Sequence, residues 1–287
     1  MPAEDCIGFL NGDWLPKSQM AISIADDGFR FAATAVERLR TYNGKVFQLP
    51  AHLARWRRTL AVMGIDAPAS DDHIGELVAG LFDRNESFIQ QQGDVGLTWF
   101  ATPGTRDRPL TFAIHLNAIN HDQVDHRRQF GQPVVITDVV QPSPKSWPRE
   151  IKARCRLHYY LADRAAQSVD ADATGVLIDE DGSVTETSIA NLAIVKDDKI
   201  ISPPPDRVLG GITQQVVESL AQQQFIDWFK RPIDPQEMLA ADEVILMGTD
   251  TGIWFGNRIG DRIFPQGPVY AQLARAFDEL VTGKPER

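Results

Sequence analysis

The chain has 287 residues, 43% hydrophobic and 24% charged, with a formal net charge of −10. This is the composition of a globular protein of one large or two medium domains, and the acidic balance argues against a nucleic-acid binder, which carries a basic surface. Cys6 and Cys155 are its two cysteines, too few for a disulfide framework, so a cytoplasmic setting is expected; no basic-then-apolar leader and no apolar run near roughly 18 residues is present, so neither a signal peptide nor a membrane span is expected.

In chain order, residues 7–47 read as short strands and turns. Asn11-Gly12 and Asn43-Gly44 are two-residue hairpin signals between apolar flanks, and Asp27-Gly28 predicts another turn. Ala32 to Tyr42 fits either a strand or a short helix. "LPAHLARWRRTLAVMGI" places Leu53, Trp56, Leu60 and Met63 on one helical face, with Pro50 near the start, Gly64 near the end and Arg55 beside the stripe. A second helix is predicted over 71–83, then two strands in "VGLTWFA" and "LTFAIHL". The polar 121–130 stretch predicts a linker between a smaller N-terminal domain, 1–120, and a larger C-terminal one, 131–287.

The second half opens with the strand "PVVITDV" and a loop broken by Pro142, Pro144 and Pro148. A helix is predicted over 153–168, with Leu157, Tyr160, Leu161 and Ala165 as its apolar stripe. Hairpins follow at Asp181-Gly182 and Asp197-Asp198. Gly210-Gly211 leads into a helix with Ile212, Val216 and Leu220 inward. Val244–Met247 is a strand that opens into a Gly/Thr/Asp loop, and a last helix covers Val269 to Val281.

Three kinds of group could carry chemistry, and each also has an ordinary structural explanation. Lys152, at the polar-to-helical transition, is a solvated lysine or an amine nucleophile with a lowered pKa. Glu186, after a hairpin strand, is an edge carboxylate or a partner for a protonated heterocyclic nitrogen. The helix entry ending at Ile212 and Thr213, the loop bearing Thr249 and Thr251, and Arg55 are phosphate-binding candidates. No Walker A or dinucleotide fingerprint, histidine–cysteine metal cluster or G-x-S-x-G elbow is present.

Taken in order, "FLNGDWLP…SIADDGF", "FQLPAHLARWRRTLAVMGI", "IK" with the segment after it, "GVLIDEDGSVTETSIANLAIV", "ISPPPDRVLGGITQQVV" and "ADEVILMGT" resemble the class IV aminotransferases. These are the fold type IV pyridoxal-phosphate enzymes, which include branched-chain and D-amino-acid aminotransferases and aminodeoxychorismate lyase. The resemblance implies an α/β (α+β) fold of two domains with pyridoxal 5'-phosphate between them, in a homodimer. Lys152 matches the lysine that carries the cofactor and moves the substrate Cα proton. Glu186 matches the carboxylate facing the pyridine nitrogen. Arg55, Ile212, Thr213 and Thr249 match phosphate-binding positions, and Thr187, next to Glu186, is grouped with the cofactor-binding residues.

Departures fall around the substrate. Val36 stands where relatives carry an aromatic residue, in a stretch made polar by Thr34, Glu37, Arg38 and Arg40. Leu157 replaces the tyrosine that branched-chain enzymes place five residues after the lysine. Ala101 takes the approximate position of a carboxylate-binding arginine of D-amino-acid enzymes, with Arg106 and Arg108 in the next loop, and "DTG" follows Thr249. Val36, Arg38, Trp99, Arg106, Trp147, Arg156 and Asp250 are the candidate substrate-pocket residues. The implied reaction is amino transfer between an amino acid and a 2-oxo acid. The alternatives are a lyase that releases 4-aminobenzoate and pyruvate from aminodeoxychorismate, and a non-enzymatic protein on the same scaffold.

Overall fold

The computed structural model describes residues 6–283. The chain divides into two compact units: one runs to Ile119 and includes Ile151–Cys155, and the other comprises Asn120–Glu150 and the chain from Arg156 on.

The first unit contains β1 (Ile7–Leu10), β2 (Asp13–Pro16), α1 (Asp27–Arg30), β3 (Ala35–Tyr42), β4 (Lys45–Val46), α2 (Leu49–Met63), α3 (Asp71–Arg84), α4 (Glu86–Gln92), β5 (Gly96–Thr102) and β6 (Thr111–Asn117). Its six strands pair in the order β2-β1-β6-β5-β3-β4. The Asn-Gly turns close β1–β2 and β3–β4 as expected, because Asn11 and Asn43 take positive φ and each is followed by glycine. The ambiguous 32–42 segment is strand β3. Asp27-Gly28 is not a simple turn: Asp26 accepts from the Gly28 N–H and starts the single-turn helix α1.

Helix α2 ends at Gly64 in the left-handed conformation. It buries two adjoining stripes, apolar Leu53, Trp56 and Leu60 and polar His52, Arg55 and Thr59. The apolar stripe joins Leu39, Leu97, Trp99, Ile114 and Leu116 in the core on one face of the sheet. Trp99 is therefore a core residue rather than a pocket wall. It is fully buried and meets Trp56 edge-on, with ring centroids 5.9 Å apart.

The second unit contains α5 (His121–Phe130), β7 (Gln132–Val140), α6 (Leu157–Val169), β8 (Thr174–Ile178), β9 (Val184–Thr187), β10 (Asn191–Lys196), β11 (Lys199–Ser202), α7 (Ile212–Gln223), β12 (Trp228–Lys230), α8 (Pro235–Leu239), β13 (Glu243–Gly248), β14 (Gly252–Ile259), β15 (Arg262–Ile263) and α9 (Pro268–Thr282). Its sheet runs β12-β11-β10-β13-β14-β7-β8-β9, and a further pairing of Asn191 with Glu186 joins β9 back to β10. Both predicted acidic hairpins are present, with Gly182, Asp197 and Asp198 at positive φ.

The stretch expected as a linker is helix α5. Its apolar content is too low to show a stripe, but Asn120 caps it by accepting from Gln123 N–H, and Arg128 pairs with Asp278. Helix α6 starts at Leu157, later than expected, and its buried face is Ala162 and Ala166. Leu157 and Tyr160 are 69% and 59% exposed, and Leu161 and Ala165 are exposed as well. The small residues let the helix press on the sheet, since a Cβ on Gly175 would lie 2.4 Å from the Ala162 carbonyl oxygen. In α7 it is Val217 rather than Val216 that is buried. Among the described residues no helix is long and apolar enough to cross a membrane.

Candidate active site

Two groups of residues, one in each unit, hold the positions singled out by the sequence. In the first unit the segment around Lys152 lies along the open N-terminal half of β3 as a short antiparallel strip. Val36 N–H donates to the Lys152 carbonyl at 2.9 Å, Arg154 N–H donates to the Thr34 carbonyl at 3.0 Å, and Ala35 and Ala153 form the bridge between them. On the other side Lys152 N–H donates to Thr59 Oγ1 at 3.1 Å. These bonds occupy the groups that a helix would need, which is why α6 cannot begin here. Lys152 is half-buried.

The polar stripe of α2 meets β3 through Glu37. Arg55 clasps its carboxylate with Nε to Oε1 at 2.8 Å and Nη2 to Oε2 at 2.6 Å, and His52 Nδ1 lies 2.8 Å from Oε2. All three side chains are buried. Burial pushes the Glu37 carboxyl up, but the Arg55 charge and the hydrogen bonds from Arg55 and His52 outweigh it and take the pKa down to about 2. Burial also drives the His52 pKa below the ordinary histidine value, so a neutral imidazole donates its Nδ1–H to Glu37. The guanidinium of the expected phosphate-binding residue thus lies in a buried ion pair that gives it a fixed direction.

In the second unit Glu186 is a buried carboxylate in β9. Its Oε1 accepts from Tyr159 Oη at 2.6 Å and Gln141 Nε2 at 3.1 Å. Its Oε2 accepts from Asn191 Nδ2 at 3.0 Å, and the Leu209 N–H is shared between the two oxygens at 3.2 and 3.1 Å. Every one of these donors is uncharged, an arrangement that suits an acceptor-only carboxylate. Burial, together with the Glu186 charge and hydrogen bond, raises the Tyr159 pKa well above its ordinary value, so the phenol keeps its proton.

Asn191 also donates to the Leu209 carbonyl at 2.9 Å, tying the loop before α7 to the β9–β10 junction. Helix α7 then begins after Gly211 without a side-chain cap, with Ile212 and Thr213 buried in its first turn. Thr249 is half-buried in the turn between β13 and β14. The 187–190 turn packs on the end of β13, where a Cβ on Gly248 would lie 2.4 Å from the Ile189 carbonyl oxygen. Glu186, the α7 start and the Thr249 turn are thus gathered at one end of this sheet. The Thr187 hydroxyl instead closes its own turn, donating to the Ala190 carbonyl and accepting from the Ala190 N–H at 3.0 Å.

The pocket candidates divide. Val36 is buried in β3 directly beside the Lys152 strip. Arg38 follows on the same face, its Nη1 3.4 Å from Thr98 Oγ1. Arg156 lies over the Tyr159 ring at 4.6 Å and donates to the Ser188 carbonyl. Trp147 packs on His158, which stacks on Tyr159. Asp250 lies in the Thr249 turn, and its charge acts on Arg127. Arg106 is exposed in the β5–β6 turn, and Ala101 is buried in the core. Gln141 and Asn191 escaped sequence reasoning, which also read Glu37 as pocket polarity rather than as the partner of Arg55. Asn191 stands at the start of a strand five residues after Glu186, and that spacing was its one visible signal.

The description Amino-transferase class IV matches residues 34–259. The chain is 28% identical over 247 residues, 83% of each protein, to the D-alanine aminotransferase of Bacillus licheniformis. A branched-chain aminotransferase from Thermoproteus uzoniensis, solved with norvaline, superposes with a TM-score of 0.85 at 22% identity, covering 98% of this chain and 96% of the other. A hypothetical aminotransferase from Mycobacterium tuberculosis, in a PLP-bound form, superposes with a TM-score of 0.83 at 16% identity over 96% and 99% of the two chains. With a family match over most of its length and the two-domain fold type IV architecture, the chain belongs to the class IV aminotransferases.

Proposed function

We propose that the protein transfers an amino group between an amino acid and a 2-oxo acid, using pyridoxal 5'-phosphate. The observation that carries this reading is the Glu186 cage: a buried carboxylate, held by uncharged donors, beside a helix start that no side chain caps. The carboxylate would complement a ring with a protonated nitrogen, and the amides of the helix start a phosphate dianion. When bound, the cofactor supplies the electron sink that makes a substrate Cα proton removable.

The remaining roles belong to the chain. Lys152 would hold the cofactor covalently, and its amine, once freed, would take the proton from the substrate Cα in one half-reaction and deliver one there in the other. Glu186 would keep the ring nitrogen protonated, with Tyr159, Gln141 and Asn191 holding Glu186 in place. The first amides of α7, with Ile212, Thr213 and Thr249, would hold the phosphate, helped by the helix dipole, and Arg55 is the residue that the family resemblance adds to them. Ile24, Phe29 and Phe31 in the first unit and Leu157 and Tyr160 in the second stand exposed. Exposed apolar side chains of this size support a homodimer, which light scattering would report as twice the chain mass.

The test is borohydride reduction of the cofactor-loaded protein followed by peptide mapping. A phosphopyridoxyl mass on the Lys152 peptide, with loss of both label and turnover in Lys152→Ala, is the expected result. A label elsewhere, or turnover that survives the substitution, overturns the assignment. Release of 4-aminobenzoate from aminodeoxychorismate without any 2-oxo acid would mark the lyase instead.

A further inference from the structure

Arg149 is a buried arginine of the second unit. Its guanidinium closes on Asp179, with Nη1 donating to Oδ2 at 3.0 Å and Nη2 to Oδ1 at 2.8 Å. Its other bonds go to the backbone. Nε donates to the Pro142 carbonyl at 2.9 Å, and Nη1 donates also to the Arg207 carbonyl at 3.2 Å. One side chain thus joins the loop after β7, the β8–β9 hairpin and the loop before α7.

Each of these segments carries part of the Glu186 cage. Gln141, whose Nε2 donates to Glu186 Oε1, directly precedes Pro142. Leu209, whose N–H is shared by both Glu186 oxygens, follows closely after Arg207. Asp179 opens the turn into β9, the strand that bears Glu186, and its N–H closes that turn on the Ser183 carbonyl at 2.7 Å. Burial pushes the Asp179 carboxyl up, but hydrogen bonds from Arg149 and the Glu180 N–H, with the charges of Arg149 and Arg207, outweigh it and hold the pKa below the ordinary aspartate value. The pair is therefore ionic at neutral pH. The Arg149 charge also reaches a neighbour of a further donor. Burial first, then the charges of Arg156 and Arg149, lower the His158 pKa to about 4, so the ring that stacks on Tyr159 stays neutral.

We propose that Arg149, paired with Asp179, is a positioning residue for Glu186: it ties the carboxylate's own hairpin to the two loops that carry its donors Gln141 and Leu209, and so fixes how the carboxylate meets the cofactor ring nitrogen. This rests on Glu186 being the partner of that nitrogen. The position requires the shape of a guanidinium as well as its charge. A planar fork holds a carboxylate and two carbonyls at once, whereas the ammonium of a lysine is a single point of charge. Loosening the tie lets both loops drift, and with them two donors on one buried carboxylate.

The probes are pyridoxal 5'-phosphate and its deaza analogue, in which C–H replaces the ring nitrogen, each titrated into the apo-protein. Both carry the phosphate, so the ratio of their affinities reads the nitrogen contact, and a general loosening of the fold cancels. Wild type should prefer the cofactor by at least about tenfold, the size of one hydrogen bond to a charged group, and Arg149→Lys should lower that ratio by about tenfold. Asp179→Asn should lower it about threefold and keeps the test alive if Arg149→Lys fails to fold. In either variant the Leu209 amide of the apo-protein should exchange with solvent faster than in wild type, as read by NMR. A ratio unchanged in both variants, whether the two affinities fall together or not at all, overturns the inference. A wild-type ratio near one refutes the Glu186 reading instead. The Leu209 exchange then decides the role of Arg149: a faster rate upholds the tie, and a wild-type rate overturns it.

Discussion

Gly211 leaves the space that Asn191 uses. A Cβ on Gly211 would stand 1.8 Å from Asn191 Oδ1, while Asn191 Nδ2 holds Glu186 Oε2 at 3.0 Å. Gly211 has an extended backbone, φ −69° and ψ 127°, which any residue can adopt. The requirement for glycine is therefore one of space, and it links the α7 entrance to the carboxylate.

Gly211→Ala should push Asn191 off Glu186 and disturb the α7 entrance together. The expected outcome is cofactor affinity weaker by about tenfold or more, the equivalent of one charged hydrogen bond, with a shifted cofactor absorption band. Equilibrium titration of the apo-protein with pyridoxal 5'-phosphate checks it. Unchanged affinity would mean that Asn191 has another place to go.

Tyr159→Phe removes the 2.6 Å hydrogen bond to Glu186 Oε1 and leaves the ring under Arg156. Stability should fall by roughly 1–3 kcal/mol, the range for a hydrogen bond to a buried charged group. The cofactor spectrum should also change its dependence on pH, which a purely structural tyrosine would not alter. Spectrophotometric titration of wild type and variant separates the two.

Glu37→Gln leaves the Arg55 charge buried without its counter-ion, and breaking such a pair costs roughly 3–5 kcal/mol. Urea unfolding should show that loss. The same substitution frees the guanidinium to reorient, so phosphate affinity should change with it, read as the inhibition constant for inorganic phosphate against cofactor binding.

Trp99→Ala should cost roughly 3–5 kcal/mol, as for any large aromatic removed from a packed core. Ratios of kcat/KM between substrates should stay as they are, because Trp99 faces Trp56 rather than the Lys152 side of the sheet. A change of substrate preference without loss of stability would contradict the placement.

Acid should destabilise the fold in two stages. His52, His115 and His158 have pKa values below the ordinary 6.5, the last two at about 4, burial being the leading cause in each. Their stabilising effect is complete above about pH 6.5 and is lost as pH falls, because the unfolded chain takes up protons first. Glu37 acts lower: its contribution is present above about 4.5 and is lost as pH falls toward about 2. The melting temperature should drop by several degrees between pH 7 and 5, and less so in His115→Gln.

Local chemistry was legible where it was self-contained. Asn11-Gly12, Asn43-Gly44, Asp181-Gly182 and Asp197-Asp198 all close hairpins, because positive φ favours just those residues. The helices α2 and α3 declared themselves by their apolar stripes, α2 also by Pro50 and Gly64 at its ends. Helix α5 did not, since its stability comes from Asn120 capping and from Arg128 reaching Asp278 far along the chain. The α6 stripe was misplaced because its buried face is the small pair Ala162 and Ala166, with Ala162 pressed against Gly175, a tertiary demand that hydrophobic periodicity does not record. Of the site, Lys152 and Glu186 were recognisable by resemblance. The Glu37–Arg55–His52 cluster was not, because three separated polar residues reveal themselves as one group only when α2 lies on β3.

The strip that carries Lys152 completes the edge of a sheet whose other strands end at Asn117, and the chain runs through α5 and β7 before returning to it. On a ribosome the first unit therefore emerges with the N-terminal half of β3 open, able to pair with whatever extended segment is at hand. Amine-bearing residue and edge protection arrive together, so a nascent chain that stalls before Cys155 is both inert and adhesive.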